Sequence, residues 1–399
     1  MNRKEFVRMC TLLGISIPLQ PILTSCSNDD RDMMIDNGSD SGFSGKVLII
    51  GAGPAGMTAG HILSQRGIDF QILEALPSHG GRIKTNNTFA DFPIPLGAEW
   101  VHVDTNIFDE IVNDSDVNVD IQTTMYDPIN DVAIDSATGT QVSLEDAGFT
   151  IDSKFINSSW FDFFQTYVYP NIQSRIIYNS PVTSIDYSSD TISVTTSGGQ
   201  TFTADKVIVA VPLKILQNGI INFSPNLSSA KQQAIANANV WSGFKAFFEF
   251  SSTFWPTIVG YDIMPASVGQ KMYYDASYGQ NTSQNVLGLF STGAPAETYI
   301  GINNDDDFRD FVLAELDALF NNQATANYVK HIRQNWNAEP YANGAYLSAY
   351  EDASLVNVLG ESVDDKLYFA GDSYTTGDDW SSVHAAARSA IRAVGELAD

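Results

Sequence analysis

The sequence predicts a two-domain α/β fold, on the strength of three observations. Within residues 46–74 an apolar run, a glycine-rich turn, an amphipathic stretch and a second apolar run follow one another, which is the order of a βαβ unit with parallel strands. Residues 175–212 alternate apolar and polar residues with period two, a pattern typical of a β-meander. Strand and helix patterns alternate further along the chain, so we expect a second domain of mixed sheet and helices.

The glycine-rich turn reads GAGPAG and predicts a dinucleotide site. Gly51 allows the tight turn after the first strand, Gly53 lets a pyrophosphate approach the backbone, and Gly56 lets helix and sheet pack closely. The N–H groups of the first helical turn, which includes Ala55, then face the phosphates. Glu74 directly follows the second apolar run, Phe70 to Leu73, and is placed to accept hydrogen bonds from a ribose.

The composition of the chain argues against some classes of binding partner. With 47 acidic and 21 basic residues the formal net charge is −26, which argues against nucleic acid because phosphate binding needs a basic surface. An acidic surface attracts cations, including amines, although it also simply keeps an exported protein soluble. Cys10 and Cys26 both fall in the first thirty residues, so we predict neither a disulfide framework nor a cysteine metal site in the folded part. No metal is predicted.

The N-terminal segment has the pattern of an export signal. Basic residues precede an apolar run over 9–23, and Leu-Thr-Ser-Cys26 resembles a bacterial lipoprotein cleavage site. We therefore predict a signal peptide over 1–26, a flexible tether over 27–45, and a cell-envelope lipoprotein of a bacterium attached to the membrane only through lipidated Cys26. An ordinary signal peptide with an incidental cysteine is the alternative. Residues 2–8 also resemble a twin-arginine export signal, which would suit a protein that is exported folded around its cofactor.

A second group of candidate residues follows the βαβ unit. Gly81 and Arg82 offer backbone N–H groups and a guanidinium fork, which suit a diphosphate. The stretch LGAEWVH then places small residues beside large ones, so that a planar ring can lie against the backbone. The candidates in that stretch are Gly97, Ala98, Glu99, Trp100 and His102.

Together, GAGPAG, Glu74, GGR at 80–82 and GAEWVH at 97–102 resemble the flavin-dependent amine oxidases, which include monoamine, polyamine and L-amino-acid oxidases. The resemblance implies a Rossmann-like FAD-binding domain. It also implies an oxidase that converts a primary amine or polyamine to an imine and reduces O2 to H2O2. The Gly-Ala-x-Trp-Val-His form looks most like polyamine oxidases and implies that His102 lies at the substrate cavity. The arginines that the family has near residues 76–78 are absent.

The same resemblance implies roles for residues later in the chain. Val182 would lie against adenine through its backbone, and Lys245 would reach flavin N5 through a water molecule. Tyr346 would form one wall of an aromatic cage that guides a neutral amine to the flavin. Ala345 stands where members with covalent flavin carry cysteine, so FAD is expected to be non-covalent.

The C-terminal segment would complete the cofactor site. Gly371 and Asp372 follow a buried strand and match the acid that binds the ribityl or phosphate region. A helix that begins near Ser382 and includes Val383 would point its N-terminus at the flavin N1–C2=O edge, where it stabilises negative charge that develops on reduction. Ser382 replaces the second cage aromatic of the family, and Trp380 is the candidate substitute.

The motifs also suggest domain bounds and leave alternatives open. The predicted FAD-binding domain comprises residues 46–104, 174–225 and 340–399, and the substrate domain comprises residues 105–173 and 226–339. An L-amino-acid oxidase is one alternative, although the family's carboxylate-binding arginine would fall at Trp100. A desaturase acting on an apolar substrate is another, and the loss of an aromatic residue at Ser382 also allows an exported protein that binds FAD without turnover.

Overall fold

The computed structural model describes residues 42–136, 138–147, 152–261, 268–376 and 379–398. The predicted signal peptide, Cys26 and nearly all of the tether lie outside these residues. In chain order the strands are β1 Lys46–Ile50, β2 Asp69–Leu73, β3 Thr85–Asn86, β4 Ile94–Pro95, β5 Trp100–Val101, β6 Thr123–Met125, β7 Val132–Asp135, β8 Gln141–Ser143, β9 Ser153–Phe155, β10 Ile176–Ile177, β11 Val182–Asp186, β12 Ile192–Thr196, β13 Thr201–Ala204, β14 Lys206–Val209, β15 Asn222–Ser224, β16 Gly243–Phe250, β17 Ile258–Tyr261, β18 Gly269–Asp275, β19 Asn285–Gly293, β20 Tyr328–Asn335 and β21 Leu367–Phe369. The α-helices are α1 Pro54–Gln65, α2 Ile107–Val112, α3 Trp160–Phe163, α4 Tyr169–Ile172, α5 Leu213–Gln217, α6 Ser229–Asn237, α7 Ala294–Ile300, α8 Asp305–Leu319, α9 Gln323–Asn327, α10 Ala353–Gly360 and α11 Val383–Ala398.

A five-stranded parallel sheet, ordered β10-β2-β1-β14-β21, forms the centre of the first layer. The side chains of β1 alternate between two cores, because successive residues of a strand point to opposite faces. Val47 and Ile49 pack with α1 and α11, whereas Leu48 and Ile50 pack with the meander sheet β13-β12-β11-β15. The predicted βαβ unit, the parallel sheet and the meander are thus confirmed.

The sequence accounts for both ends of helix α1. Pro54 occupies the first turn, where its fixed φ suits a helix and its missing N–H costs no hydrogen bond. Gly67, with φ of 69°, reverses the chain just after the helix so that β2 can return beside β1.

A seven-stranded mixed sheet, ordered β20-β16-β19-β18-β17-β7-β8, forms the second body of the fold. Phe244 and Phe248 of β16 pack with α8 on one face. Lys245 and Phe247 therefore point to the other face, which is how the lysine reaches the central cavity. Among the described residues no helix is both long enough and apolar enough to cross a membrane.

Residues 105–173 contain more strand than their sequence pattern predicts. The small sheet β5-β9-β6 joins part of this segment to the GAEWVH stretch, and β7 and β8 extend the seven-stranded sheet. Each of β6 to β9 has only three or four residues, too few to show a period. The predicted domain bounds themselves stay predictions.

Candidate active site

One cavity of about 1230 Å³ lies where the parallel sheet meets the seven-stranded sheet. It exceeds the roughly 300–1,000 Å³ of pockets that hold drug-sized ligands, so it has room for a larger ligand. Every predicted site residue except Gly56 lines it: Gly51, Gly53, Ala55, Glu74, Gly81, Arg82, Gly97, Ala98, Glu99, Trp100, His102, Val182, Lys245, Tyr346, Gly371, Asp372, Trp380, Ser382 and Val383.

The three glycines of the turn have different structural roles. Gly51 has φ of 104°, and a Cβ there would lie 2.6 Å from the carbonyl oxygen of Ala210. Gly53 faces open space, with no atom within 4 Å of where its Cβ would be, so its backbone is open to the cavity. Gly56 does not line the cavity. A Cβ on Gly56 would overlap the carbonyl of Gly51, and its role is the close packing of helix on turn.

Glu74 fastens the turn to the end of β2. Its Oε2 accepts the N–H of Ala52 at 2.7 Å, and its Oε1 accepts the N–H of Leu76 at 2.9 Å. Burial raises the pKa of this carboxyl, although the backbone N–H groups of Leu76, Ala52 and Ala75 oppose the shift. Each carboxylate oxygen has a second lone pair, so Glu74 can hold the turn and still accept a ribose hydroxyl.

Arg82 and Asp372 meet each other at the cavity wall. The guanidinium binds the carboxylate through both terminal nitrogens, with Nη1 3.2 Å from Oδ2, and Nη1 also donates to the carbonyl of Ala345. Such two-pronged pairs fix geometry as well as charge. The predicted contacts of Arg82 with a diphosphate and of Asp372 with the ribityl or phosphate region stay predictions. The guanidinium has five N–H donors and each carboxylate oxygen has a second lone pair, so both side chains can keep the pair and still bind a ligand.

Lys245 is enclosed at the cavity wall with only 3% of its surface exposed. Its Nζ donates to Glu99 Oε2 at 2.7 Å, to the carbonyl of Pro95 at 2.8 Å and to that of Gly97 at 3.1 Å. An ammonium has three N–H donors, so all of them are engaged. The predicted water-mediated contact with a flavin therefore needs one of these bonds to be exchanged.

Glu99 is the centre of a buried charge cluster that the sequence does not reveal. Its Oε2 also accepts the hydroxyl of Tyr274, and its Oε1 lies 3.6 Å from Lys154 Nζ. Burial alone would raise the pKa of Glu99, but the charges of Lys245 and Lys154 outweigh it and lower the pKa. Lys154 itself donates to two backbone carbonyls, at 2.9 and 3.0 Å. The only signal for it is a single lysine in a three-residue strand.

Aromatic side chains form another part of the wall. The ring centroid of Tyr346 lies 6.2 Å from that of Trp241, and the ring centroid of Tyr350 lies 6.4 Å from that of Trp241. Burial raises the pKa of Tyr346 to about 12, so its hydroxyl is neutral at physiological pH. Trp380 lines the cavity with its indole Nε1 bound to the carbonyl of Ser348 at 2.9 Å. Trp241 is thus an aromatic neighbour of Tyr346 that sequence reasoning missed.

The start of α11 carries a polar group beside the cavity. Ser382 caps the helix by accepting the N–H of Ala385 at 3.1 Å. His384 Nε2 lies 3.0 Å from Ser382 Oγ and 2.8 Å from Asp379 Oδ2. Both contacts use the same ring nitrogen, so this trio is not a relay that activates a serine nucleophile. Burial alone would raise the pKa of Asp379, but its hydrogen bond to His384 outweighs this and lowers it.

His102 lies at the cavity, as the resemblance implies. The antiparallel register pairs Trp100 with Lys154 and Val101 with Ser153, and one further step places His102 opposite Asp152. The two side chains meet at 2.7 Å. Within the described ranges, no set of three His, Cys, Asp or Glu side chains is arranged to hold a metal ion.

Comparison with known proteins finds two family matches. Residues 171–398 match the family described as flavin containing amine oxidoreductase, and residues 49–114 match the NAD(P)-binding Rossmann-like domain. Residues 115–170 lie between the two matches.

Individual relatives agree with these matches. Lysine-specific histone demethylase 1B of Mus musculus is 32% identical over 200 residues, which cover 49% of this chain and 24% of the demethylase. The chain thus spans about a quarter of that relative. Polyamine oxidase 4 of Oryza sativa subsp. japonica is 24% identical, with 88% of each chain covered. A solved structure of putrescine oxidase bound to putrescine has a TM-score of 0.70 at 16% identity, covering 89% of this chain and 99% of that one, which shows the same fold.

Proposed function

Because the chain belongs to the family of flavin-containing amine oxidoreductases, we propose that it oxidises a primary amine or a polyamine with FAD as its cofactor. When bound, FAD supplies the acceptor for the hydrogen and two electrons of the amine C–H bond, and O2 regenerates it with release of H2O2. The observation that carries this proposal is the single cavity in which the dinucleotide turn, Lys245 and the aromatic wall around Tyr346 meet.

The residues present fit FAD. The open backbone at Gly53 and the N-terminus of α1 suit a diphosphate, and Glu74 suits a ribose. The N-terminus of α11 would face the other end of the cofactor. Ala345 has no nucleophilic atom, so FAD would be held non-covalently. No cysteine falls within the described residues to offer another attachment point.

An amine suits this cavity better than an α-amino acid. At Trp100, where an amino-acid oxidase would need an arginine, the indole Nε1 instead donates to the hydroxyl of Tyr126 at 3.1 Å. Tyr346 and Trp241 offer aromatic faces to an amine. The names of two similar proteins, polyamine oxidase 4 and putrescine oxidase, also favour a diamine or polyamine.

We expect the purified protein to be yellow and to release H2O2 with putrescine, spermidine or tyramine but not with amino acids. Its kcat/KM should be higher at pH 9 than at pH 6, because a protonated amine cannot release a hydride. The measurement is a peroxidase-coupled assay, with a Gly53→Val variant as the flavin-free control. A yellow protein whose flavin light can reduce, but which releases no H2O2 with any of these compounds, would favour the desaturase or the non-catalytic alternative instead.

We further propose that the chain is exported and acylated at Cys26, on the pattern of Leu-Thr-Ser-Cys in the sequence. A Cys26→Ser variant should then lose incorporation of labelled palmitate and leave the membrane fraction, whereas Cys10→Ser should behave like the wild type. Continued membrane attachment of Cys26→Ser would contradict lipidation at this cysteine.

A further inference from the structure

His102 and Asp152 form a hydrogen-bonded pair at the cavity. The imidazole Nδ1 lies 2.7 Å from Asp152 Oδ1, and the two side chains are 34% and 20% exposed. An ionised carboxylate only accepts hydrogen bonds, so Nδ1 must carry the proton of this bond. The other ring nitrogen, Nε2, then presents a lone pair when the ring is neutral. Among the described residues the hydrogen bond of His102 is the one made by Nδ1, and the side chain lines the cavity, so Nε2 can accept a hydrogen bond from a ligand there.

We propose that His102 is the base that takes the proton from a protonated amine substrate, and that Asp152 positions it. The inference rests on the proposed amine oxidation. In the step, the N–H bond of the substrate ammonium breaks, its electron pair stays on the amine nitrogen, and a new N–H bond forms at Nε2. The Asp152 carboxylate stabilises the resulting imidazolium, and no oxidant or reductant takes part.

The protonation state of amines explains why such a base would assist the reaction. An alkylamine has a pKa of about 10, so nearly all of it is cationic at neutral pH. The neutral form is the one that can give up a hydride. A base at the cavity wall lets the enzyme bind the abundant cation and convert it in place, while a carboxylate next to the base attracts that cation.

The surroundings of the pair support this assignment. Burial alone would raise the pKa of Asp152, but its hydrogen-bonded pairing with His102 outweighs burial and lowers the pKa, so the carboxylate is ionised. Tyr126, which follows β6, stays neutral because burial raises its pKa well above the ordinary value. Asp104 is exposed, two residues along. The nearby cluster of Glu99, Lys154 and Lys245 is paired within itself. His102 is thus an ionisable group at the cavity with a ring nitrogen left to exchange a proton with a ligand.

The family motifs in the sequence do not identify Asp152 as a site residue. It lies in residues 115–170, between the two stretches that match known families. The fold brings it to His102 through the pairing of β9 with β5. The same strand contributes Lys154, so this segment supplies partners to both ionisable residues of the GAEWVH stretch.

The tautomer of His102 tests the geometry without any turnover. We expect ¹⁵N spectra of the FAD-loaded protein to show the Nδ1–H tautomer for one of its five histidines, assigned by its absence in a His102→Gln variant. Asp152→Asn should abolish that fixed tautomer, whereas Asp104→Asn, which removes an exposed neighbouring charge, should not. A wild-type His102 in the Nε2–H form would overturn the proposal.

The pH dependence of kcat/KM for putrescine tests the proton transfer. The wild type should level off well below the pKa of the amine, because His102 lets it use the cation. His102→Gln should rise tenfold per pH unit and be about 10²–10⁴-fold slower at pH 7. Asp152→Asn should be about 10–100-fold slower, and Asp104→Asn unchanged.

These outcomes distinguish a failure of the proposed base His102 from a failure of the proposed amine oxidation. An active wild type whose His102→Gln variant has the same pH profile would overturn the base while leaving amine oxidation intact. A wild type without any turnover would contradict the proposed function, and the ¹⁵N spectra would still decide the orientation of His102.

Discussion

A Gly53→Val variant should fold normally and fail to hold FAD. The backbone at residue 53 has φ of −78°, which any residue adopts, and no atom lies within 4 Å of the added Cβ. The side chain would instead occupy the space in which the diphosphate approaches the backbone. We expect FAD affinity to fall at least about a hundredfold, or about 2.7 kcal/mol. The unfolding free energy of the apoprotein should change by less than about 1 kcal/mol. Flavin titration and denaturant unfolding measure the two effects.

Gly56→Ala is the matched comparison three residues along. Its Cβ would overlap the carbonyl of Gly51 and lie 3.0 Å from the carbonyl carbon, so helix α1 or the turn must move. We expect a loss of about 3 kcal/mol in unfolding free energy together with weakened FAD binding. The assignment of separate roles fails if Gly53→Val keeps its flavin, or if Gly56→Ala is as stable as the wild type.

Glu99→Gln should be among the most destabilising single changes in this protein. It leaves the ammonium groups of Lys245 and Lys154 buried without their shared counter-charge. Breaking a buried ion pair in this way costs about 3–5 kcal/mol of unfolding free energy. Because the folded-state pKa of Glu99 is lowered, its contribution is present above its unfolded pKa and is lost as the pH falls through the folded value. The deficit of the variant, measured by denaturant unfolding, should therefore shrink in acid.

An exposed pair provides the control. Arg175 and Asp69 are 47% and 57% exposed at 2.7 Å, so Asp69→Asn should cost no more than about 1 kcal/mol. Adding Lys154→Met to Glu99→Gln should cost less than the sum of the single changes, since it removes one of two like charges. Equal effects of Glu99→Gln and Asp69→Asn, or full additivity of the double variant, would show that the cluster is not coupled.

Sequence reasoning succeeded where a role depends on a local stretch of backbone. The GAGPAG turn, the ends of α1 and the strand that precedes Glu74 follow from periodicity and from glycine and proline at fixed positions. Lys245 stood out as a charged residue in an aromatic strand, and its burial with a partner follows. The family resemblance added Tyr346 and the C-terminal helix, which the structure places at the cavity.

Sequence reasoning missed residues whose partners lie far along the chain. Trp241 and Tyr346 are about a hundred positions apart, and backbone hydrogen bonds next to the antiparallel bridge of Val240 with Leu347 bring them together. The local sequence of neither residue predicts this pairing. Arg82 and Asp372 were assigned separate ligands, yet they bind each other across the fold. Contacts of this kind depend on how strands and turns from distant segments are stacked.

By itself the sequence determined the class of fold, the dinucleotide turn and the family, because each is set by the order and spacing of neighbouring residues. The tertiary structure decided what the cavity wall is made of. The short strand β9 shows no periodicity, yet its pairing with β5 puts Asp152 against His102 and Lys154 against Glu99. Charges in a dry interior need close partners, and only the folded chain shows which partners they have.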